Sequence, residues 1–260
     1  MIPMLLMGLC QGLFEWLPVS SEGMIATIYA FVSQKSYQES IQFALWLHLG
    51  TAPSAAIIFR KPLWRLASEL TKSHRQYSPK LRFLIISTLI SAPIGFGIYI
   101  GVDELTQLAG SLFMVFVGVA MLVTGLVQLR YRVLYNRSTS DLNFIDGIFA
   151  GIAQGISVIP GFSRSGMTIS VLTFRGLDRG EVLALSYIMG MPVSLGAALW
   201  IGITQGFNWS LGALLSALIA FVIGLLTIKL LISVSTKINL GLFIIVMGLF
   251  IIAGGIFTNF

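Results

Sequence analysis

The chain has 260 residues, of which 56% are hydrophobic and only 10% charged, with a formal net charge of +6 and a mean hydropathy of +0.91. A soluble domain carries about a quarter charged residues, so this chain lacks the polar surface of one. The composition excludes an ordinary water-soluble enzyme and a disordered chain, and the basic balance does not rescue a nucleic-acid binder. The single cysteine, Cys10, excludes an intrachain disulfide and a cysteine-rich metal site, and reads as a small packing residue.

In chain order, the first apolar stretch covers residues 2–31 and is interrupted by Leu17-Pro18-Val19-Ser20-Ser21-Glu22-Gly23. Three uninterrupted windows follow at about 43–59, 83–101 and 109–129, each near the roughly 20 residues that a membrane helix needs. A second interrupted stretch, 144–174, contains Pro160-Gly161-Phe162-Ser163-Arg164-Ser165-Gly166, and three more windows lie at about 182–203, 211–231 and 238–257. Broken backbone is tolerated at membrane depth only where protein or a water-filled cavity satisfies it. The two interrupted stretches therefore read as re-entrant helix hairpins, and the first, lacking a basic start, does not read as a cleavable signal. The expected fold is an all-α integral membrane protein of six spanning helices plus two re-entrant hairpins.

The 60–82 segment holds Arg60, Lys61, Arg65, Lys72, Arg75, Lys80 and Arg82 against Glu69 alone. Alternating the spans places Arg130, Arg132, Arg137, Arg175, Arg179, Lys229 and Lys237 on the same face, while Lys35, Asp103 and Glu104 fall on the other. By the positive-inside rule the 60–82 face is cytoplasmic. The charge thus reports topology in a multi-pass protein of the cell (plasma) membrane, with modest attraction to anionic lipid heads. His74 lies in that basic loop, and Asp146 beside Asn143 reads as a helix cap.

The hairpins resemble each other. Gln11-Gly12, Pro18, Ser20-Ser21 and Gly23 are echoed by Gln154-Gly155, Pro160, Ser163, Ser165 and Gly166, with twelve residues from Gln to closing Gly in both. A weaker echo sets Gly50-Thr51-Ala52-Pro53 against Gly190-Met191-Pro192. Three spans separate the hairpins, so they enter from opposite sides, and residues 1–129 and 144–257 read as inverted repeats. Such repeats build a polar site near the bilayer midplane.

Three charges are expected there: Glu15, Glu22 and Arg164. Arg164 pairing with a carboxylate merely to hold the hairpins together is the bland reading. Five neighbouring hydroxyls, on Ser20, Ser21, Ser163, Ser165 and Thr168, exceed what one ion pair needs and point to phosphate. Carboxylates beside phosphate must be protonated, act as bases or share a cation, so Glu15 with Gln11 forms a metal or proton-handling pair. His48 reads either as a packing residue or as a member of the site, and Gln154 lies at the equivalent of Gln11.

The run Gln11-Gly12-Leu13-Phe14-Glu15-Trp16-Leu17-Pro18-Val19-Ser20-Ser21 resembles the first signature of the undecaprenyl-diphosphate phosphatase family, the bacitracin-resistance phosphatases. Pro160-Gly161-Phe162-Ser163-Arg164-Ser165-Gly166-Met167-Thr168 resembles its second, and His48-Leu49-Gly50-Thr51 a softer third. The resemblance implies a membrane enzyme that removes the terminal phosphate of a polyprenyl diphosphate, with a divalent cation (Mg or Ca) assisting. It implies Glu15 and Gln11 as the acidic/amide pair, Ser21 as the serine acting on phosphorus, and Ser163, Arg164 and Thr168 as a phosphate clamp. Ser20, Ser165 and Gln154 join the substrate-binding set. The family signature continues with a histidine where this chain has Met24, which cannot carry a proton; Glu22 and His48 are the candidate substitutes. The expected partners are the lipid diphosphate and membrane lipids, with no nucleic acid and a homodimer left open. The alternative is a non-hydrolytic transporter or flippase of an isoprenyl phosphate or other small anion on the same scaffold.

Overall fold

The computed structural model describes residues 1–73, 77–105, 110–129, 137–206, 208–235 and 239–257. Among them it is helical throughout, without a named strand. The first stretch folds as α1 (Ile2–Phe14), a turn, and α2 (Ser21–Ser33). Then come α3 (Tyr37–Trp46), α4 (His48–Ile58), α5 (Arg60–Glu69), α6 (Pro79–Leu105) and α7 (Gly110–Leu129). The second interrupted stretch gives α8 (Phe144–Ile156) and α9 (Arg164–Phe174), followed by α10 (Arg179–Gln205), α11 (Leu211–Ser235) and α12 (Leu240–Phe257).

Four segments have the length and apolarity to cross a membrane: Tyr37–Ile58, Pro79–Gly101, Gly180–Gln205 and Leu211–Val234. Leu112–Val127 and Gly241–Ile256, at the other two expected spans, are shorter apolar helices among the described residues. The protein is a multi-pass membrane protein. Two features differ from the sequence expectation. The window at 43–59 starts earlier, at Tyr37, and is broken at Leu47 into α3 and α4, with the helix-kinking Pro53 in the second piece. The 60–82 loop is not all loop, because α5 occupies its first half. Arg75, His74, Arg130, Arg132 and Lys237 lie outside the described residues.

Small residues set how the helices meet. Gly147, Gly151 and Gly155 let α8 lie against Ile86, Ile90 and Ile94 of α6, and Gly8 and Gly12 let α1 lie against Ser216 and Ile223 of α11. Small residues four apart allow this close approach between apolar helices. In α7 and α12, Gly118 opposes Gly248 and Gly125 opposes Gly241, so those two helices run antiparallel. Each hairpin's first helix thus packs on a helix from the other half of the chain.

At one end a charged clasp closes the second hairpin. The buried Asp146 carboxylate accepts from Arg137 Nη2 at 2.6 Å, Arg175 Nε at 2.7 Å and Asn143 N at 2.9 Å. Asn143 and Asp146 form a capping box on α8, as the sequence suggests. Nearby, the Ser138 backbone N–H and hydroxyl hold the Asp141 carboxyl below the usual carboxylate range. Asp178 caps α10. Thr139 donates from both N and Oγ1 to Glu181 Oε2 at 2.6 Å.

Candidate active site

The two hairpin tips touch. Gly161, with φ +100°, occupies backbone space that a side chain rarely adopts, and a Cβ there would meet the Val117 carbonyl at 2.5 Å. A Cβ on Gly23 would lie 2.9 Å from Gly161 N, so the tips are in backbone contact. The helices leaving both tips start alike: Ser20 Oγ accepts from Gly23 N and Ser163 Oγ from Gly166 N. The first residue of α2 is then Ser21 and the first of α9 is Arg164, and both side chains reach Glu15.

Glu15 is the centre. It is the C-cap of α1, where a carboxylate is opposed by the helix dipole, and it is 6% exposed. Three donors offset that cost: Arg164 Nη2 to Oε1 at 2.5 Å, Ser21 Oγ to Oε2 at 2.7 Å and Gln11 Nε2 to Oε2 at 3.2 Å. Gln11 Nε2 also lies 3.4 Å from Thr51 Oγ1. Arg164 donates its Nη1 to the Gly190 carbonyl at 2.9 Å and to Ser194 Oγ. Those contacts engage three of the five N–H donors of a guanidinium, leaving two for an anion.

His48, at the start of α4, is 1% exposed. Its Nδ1 lies 3.2 Å from the Leu45 carbonyl, which can only accept, so Nδ1 carries the proton. Nε2 is therefore the titrating nitrogen. It lies 3.5 Å from Glu15 Oε2 and 3.5 Å from Glu22 Oε1, in ion-pair range of both but without hydrogen-bond alignment to either. Two carboxylates and one guanidinium leave an excess negative charge in a low-dielectric place. One proton held by the His48–Glu22–Glu15 group removes it.

Not every expected residue reaches the centre. Ser20 and Ser165 line, with Glu15, Ser21, Glu22 and Arg164, a polar pocket of about 20 Å³, room for about one water. Ser163 is buried and occupied as the α9 cap. Thr168 differs from the phosphate clamp that the resemblance implies: its hydroxyl bonds the Arg164 and Ser165 carbonyls and Ser186 Oγ at 2.6 Å, pinning α9 to α10. Gln154 donates to Ser91 Oγ at 3.0 Å and lines the large apolar cavity onto which the site opens, away from Glu15. Met24 is 1% exposed in an apolar cluster with Val19, Phe113, Val117 and Met121.

Sequence reading missed Ser194, Gly190 and Tyr187. The echo of Gly50-Thr51 in Gly190-Met191 was the available signal, since Thr51 and Gly190 both touch the site. Tyr187 donates to the Trp16 carbonyl and meets the Trp16 ring edge-on at 5.7 Å, fixing the turn next to Glu15. Nothing in its sequence context distinguishes it from a packing aromatic.

The site opens onto a cavity of about 580 Å³ between α3, α6, α10 and the end of α8. Glu22, Arg164 and Ser194 stand at its polar end, and Ile41, Phe96, Val158 and Trp200 are among its apolar walls. As for a metal, Gln11 turns its nitrogen to Glu15, and both Glu15 oxygens already accept from protein donors. His48, Glu15 and Glu22 meet, but among the described residues no three His, Cys, Asp or Glu side chains are placed to hold an ion. The residues present do not fit a resident divalent cation.

The chain matches the family model "Bacitracin resistance protein BacA" over residues 4–254. It is similar to an undecaprenyl-diphosphatase of Methanococcoides burtonii, 32% identical over 93% of both chains. It is likewise 32% identical to undecaprenyl-diphosphatases of Haloarcula marismortui, over 88% of this chain and 87% of the relative, and of Sulfurisphaera tokodaii, over 92% and 91%. With the match covering nearly the whole chain, the protein belongs to the bacitracin resistance protein BacA family.

Proposed function

We propose that this protein is a membrane phosphatase that removes the terminal phosphate of a polyprenyl diphosphate of undecaprenyl type, leaving the lipid monophosphate. The observation that carries it is Ser21 Oγ donating to Glu15 Oε2 at 2.7 Å beside Arg164, at the polar end of an apolar cavity. Nucleophile and base within hydrogen-bond reach, with the base oriented by a third group, is the arrangement expected of an activated hydroxyl. Gln11 and Arg164 orient Glu15.

In this reading the isoprenyl chain lies in the apolar cavity and the terminal phosphate sits on the two remaining Arg164 N–H groups. Ser21 Oγ attacks the terminal phosphorus as its proton passes to Glu15. The bond from phosphorus to the bridging oxygen breaks, and the lipid monophosphate leaves with that electron pair. Water then attacks the phosphoserine, giving inorganic phosphate and restoring the Ser21 hydroxyl. Phosphoryl transfer depends mostly on positioning and on stabilising oxygen charge, which is the part of Arg164. His48 Nε2 and Glu22 hold the proton that Glu15 receives, in place of the histidine absent at Met24. No step passes through a metal; a divalent ion required for turnover would take its ligands from phosphate oxygens and water.

We read residues 1–129 and 144–257 as inverted copies, with 60–82 on the cytoplasmic side of the cell membrane. The helix pairings support this. The glycine contacts run α1 parallel to α11, α8 parallel to α6, and α7 antiparallel to α12. With α6–α7 and α11–α12 each joined by a few residues and so antiparallel, α1 and α8 run in opposite senses.

The test is phosphate release from a polyprenyl diphosphate by the purified protein, with Ser21→Ala beside it. We expect release by the wild type, loss of about 10⁴-fold or more in Ser21→Ala, and a phosphoserine trapped at Ser21 on rapid acid quench. Lipid moved across proteoliposomes with no phosphate released would overturn the reading in favour of transport.

A further inference from the structure

The helix α5 plays no part in the site, and none of its residues is buried. At 100° per residue Leu63, Trp64, Ala67 and Leu70 fall within one arc of roughly 120°, which at its first turn also holds Arg60, bonded to the Ile57 carbonyl, while Lys61 and Arg65 lie outside it. Most of the arc is uncovered: Trp64 is 77% exposed, Leu70 is 55% exposed and Ala67 is exposed, while Leu63 is half-buried. Lys61, Arg65 and Lys72 belong to none of the ion pairs found among the described residues. Glu69, the one acid of the segment, is held by Ser78 N at 2.9 Å.

We propose that α5 lies in the bilayer interface and forms a binding surface for anionic phospholipid headgroups, with Trp64 and Leu70 in the acyl boundary and Lys61, Arg65 and Lys72 on the phosphates. Its place in the chain selects lipid over a protein partner. The span Tyr37–Ile58 ends two residues before it and the span Pro79–Gly101 starts soon after, so both ends of α5 are fixed at the level of the membrane surface. An exposed tryptophan on an apolar arc opposite basic side chains is the pattern of a helix lying in that plane. Long basic side chains reach outward from there to headgroups. Each basic residue near an anionic surface attracts it by an amount equivalent to about a fivefold preference.

The experiment uses the full chain in nanodiscs whose phosphatidylglycerol or phosphatidylcholine carries brominated acyl chains. Trp64 is read as the difference in fluorescence quenching between wild type and Trp64→Phe. Expected are Trp64 quenching in both lipids, stronger when the bromine is on phosphatidylglycerol, and a gap that shrinks at high salt. The gap should collapse in Lys61→Gln/Arg65→Gln/Lys72→Gln and persist in Lys61→Arg/Arg65→Lys/Lys72→Arg, which controls for misfolding. Trp64 unquenched in either lipid, as for a protein-covered or water-facing helix, overturns the proposal. So does equal quenching by the two lipids, or a gap that the three glutamines leave unchanged.

Discussion

The two hairpins are built alike and carry different side chains to the same place. Each is a helix, a turn with a proline, and a serine cap opening the returning helix: Ser20 onto Gly23 N, Ser163 onto Gly166 N. The residue after the cap is a neutral hydroxyl in one and a guanidinium in the other, Ser21 against Arg164. The residue four past the glutamine is Glu15 in the first and Val158 in the second. Glu15 therefore receives a hydroxyl from its own hairpin and a cation from the opposite one. The same backbone device carries different side chains in the two hairpins, and Glu15, Ser21 and Arg164 come together only where the tips meet.

If that division of labour is right, removing the second hairpin's contribution should be costly while its backbone stays intact. Arg164→Lys keeps the charge but loses the planar fork that binds Glu15, Gly190 and Ser194 together. We expect phosphate release to fall by about 10²–10³-fold with little change in thermal stability. Equal activity would make Arg164 a simple hairpin tie.

Next comes the proton arm of the first hairpin. Glu22→Gln and His48→Ala, assayed side by side across pH, should each lower turnover by about 10²-fold at least. Because Nδ1 is committed to Leu45, His48→Ala also removes the only imidazole at the site among the described residues and should abolish one limb of the pH–rate profile, whereas Glu22→Gln should displace it. An unchanged profile in both variants would remove the pair from proton transfer.

A smaller effect tests the scaffold. A Cβ on Gly190 would sit 2.6 Å from the Arg164 guanidinium carbon, so Gly190→Ala must shift that side chain off Glu15. A displacement of about 1 Å can cost up to about 10²-fold, and we expect kcat to fall while substrate affinity changes little. The least effect belongs to Thr168→Val. Its hydroxyl is already committed to Ser186 and the helix backbone, so turnover should change by less than about threefold, with a stability loss of about 1 kcal/mol. A large loss of phosphate release would restore Thr168 to the clamp.

Much of this was legible in the sequence because membrane insertion is governed by local quantities. Apolar runs of the required length, the polar interruptions at Leu17–Gly23 and Pro160–Gly166 and the lopsided basic residues can all be counted along the chain. The repeat of Gln, Pro, Ser and Gly named both hairpins and brought Glu15, Ser21 and Arg164 forward together. Less visible were features that depend on another element's position. The break at Leu47 sets His48 at a helix start with its Nδ1 fixed on Leu45. The amide of Gln11 turns by the company it meets, and Ser194 and Tyr187 join the site from α10 across a distance of more than 170 residues in the case of Tyr187 and Trp16. The helix in the basic loop was hidden for another reason: its charges mask an apolar arc that only the helical period reveals.

Composition and pattern along the chain were enough to establish that this protein lives in a membrane, that two matching stretches are interrupted, and which charges those interruptions carry. Hydrophobic length and the burial cost of polar runs are local properties that can be read residue by residue. The packing of distant helices settled which of those polar groups come within ion-pair range, which serve as caps and ties, and which nitrogen of His48 faces the carboxylates. Those outcomes rest on distances of a few ångströms between elements far apart in the chain, and hydrogen bonding is set by such distances.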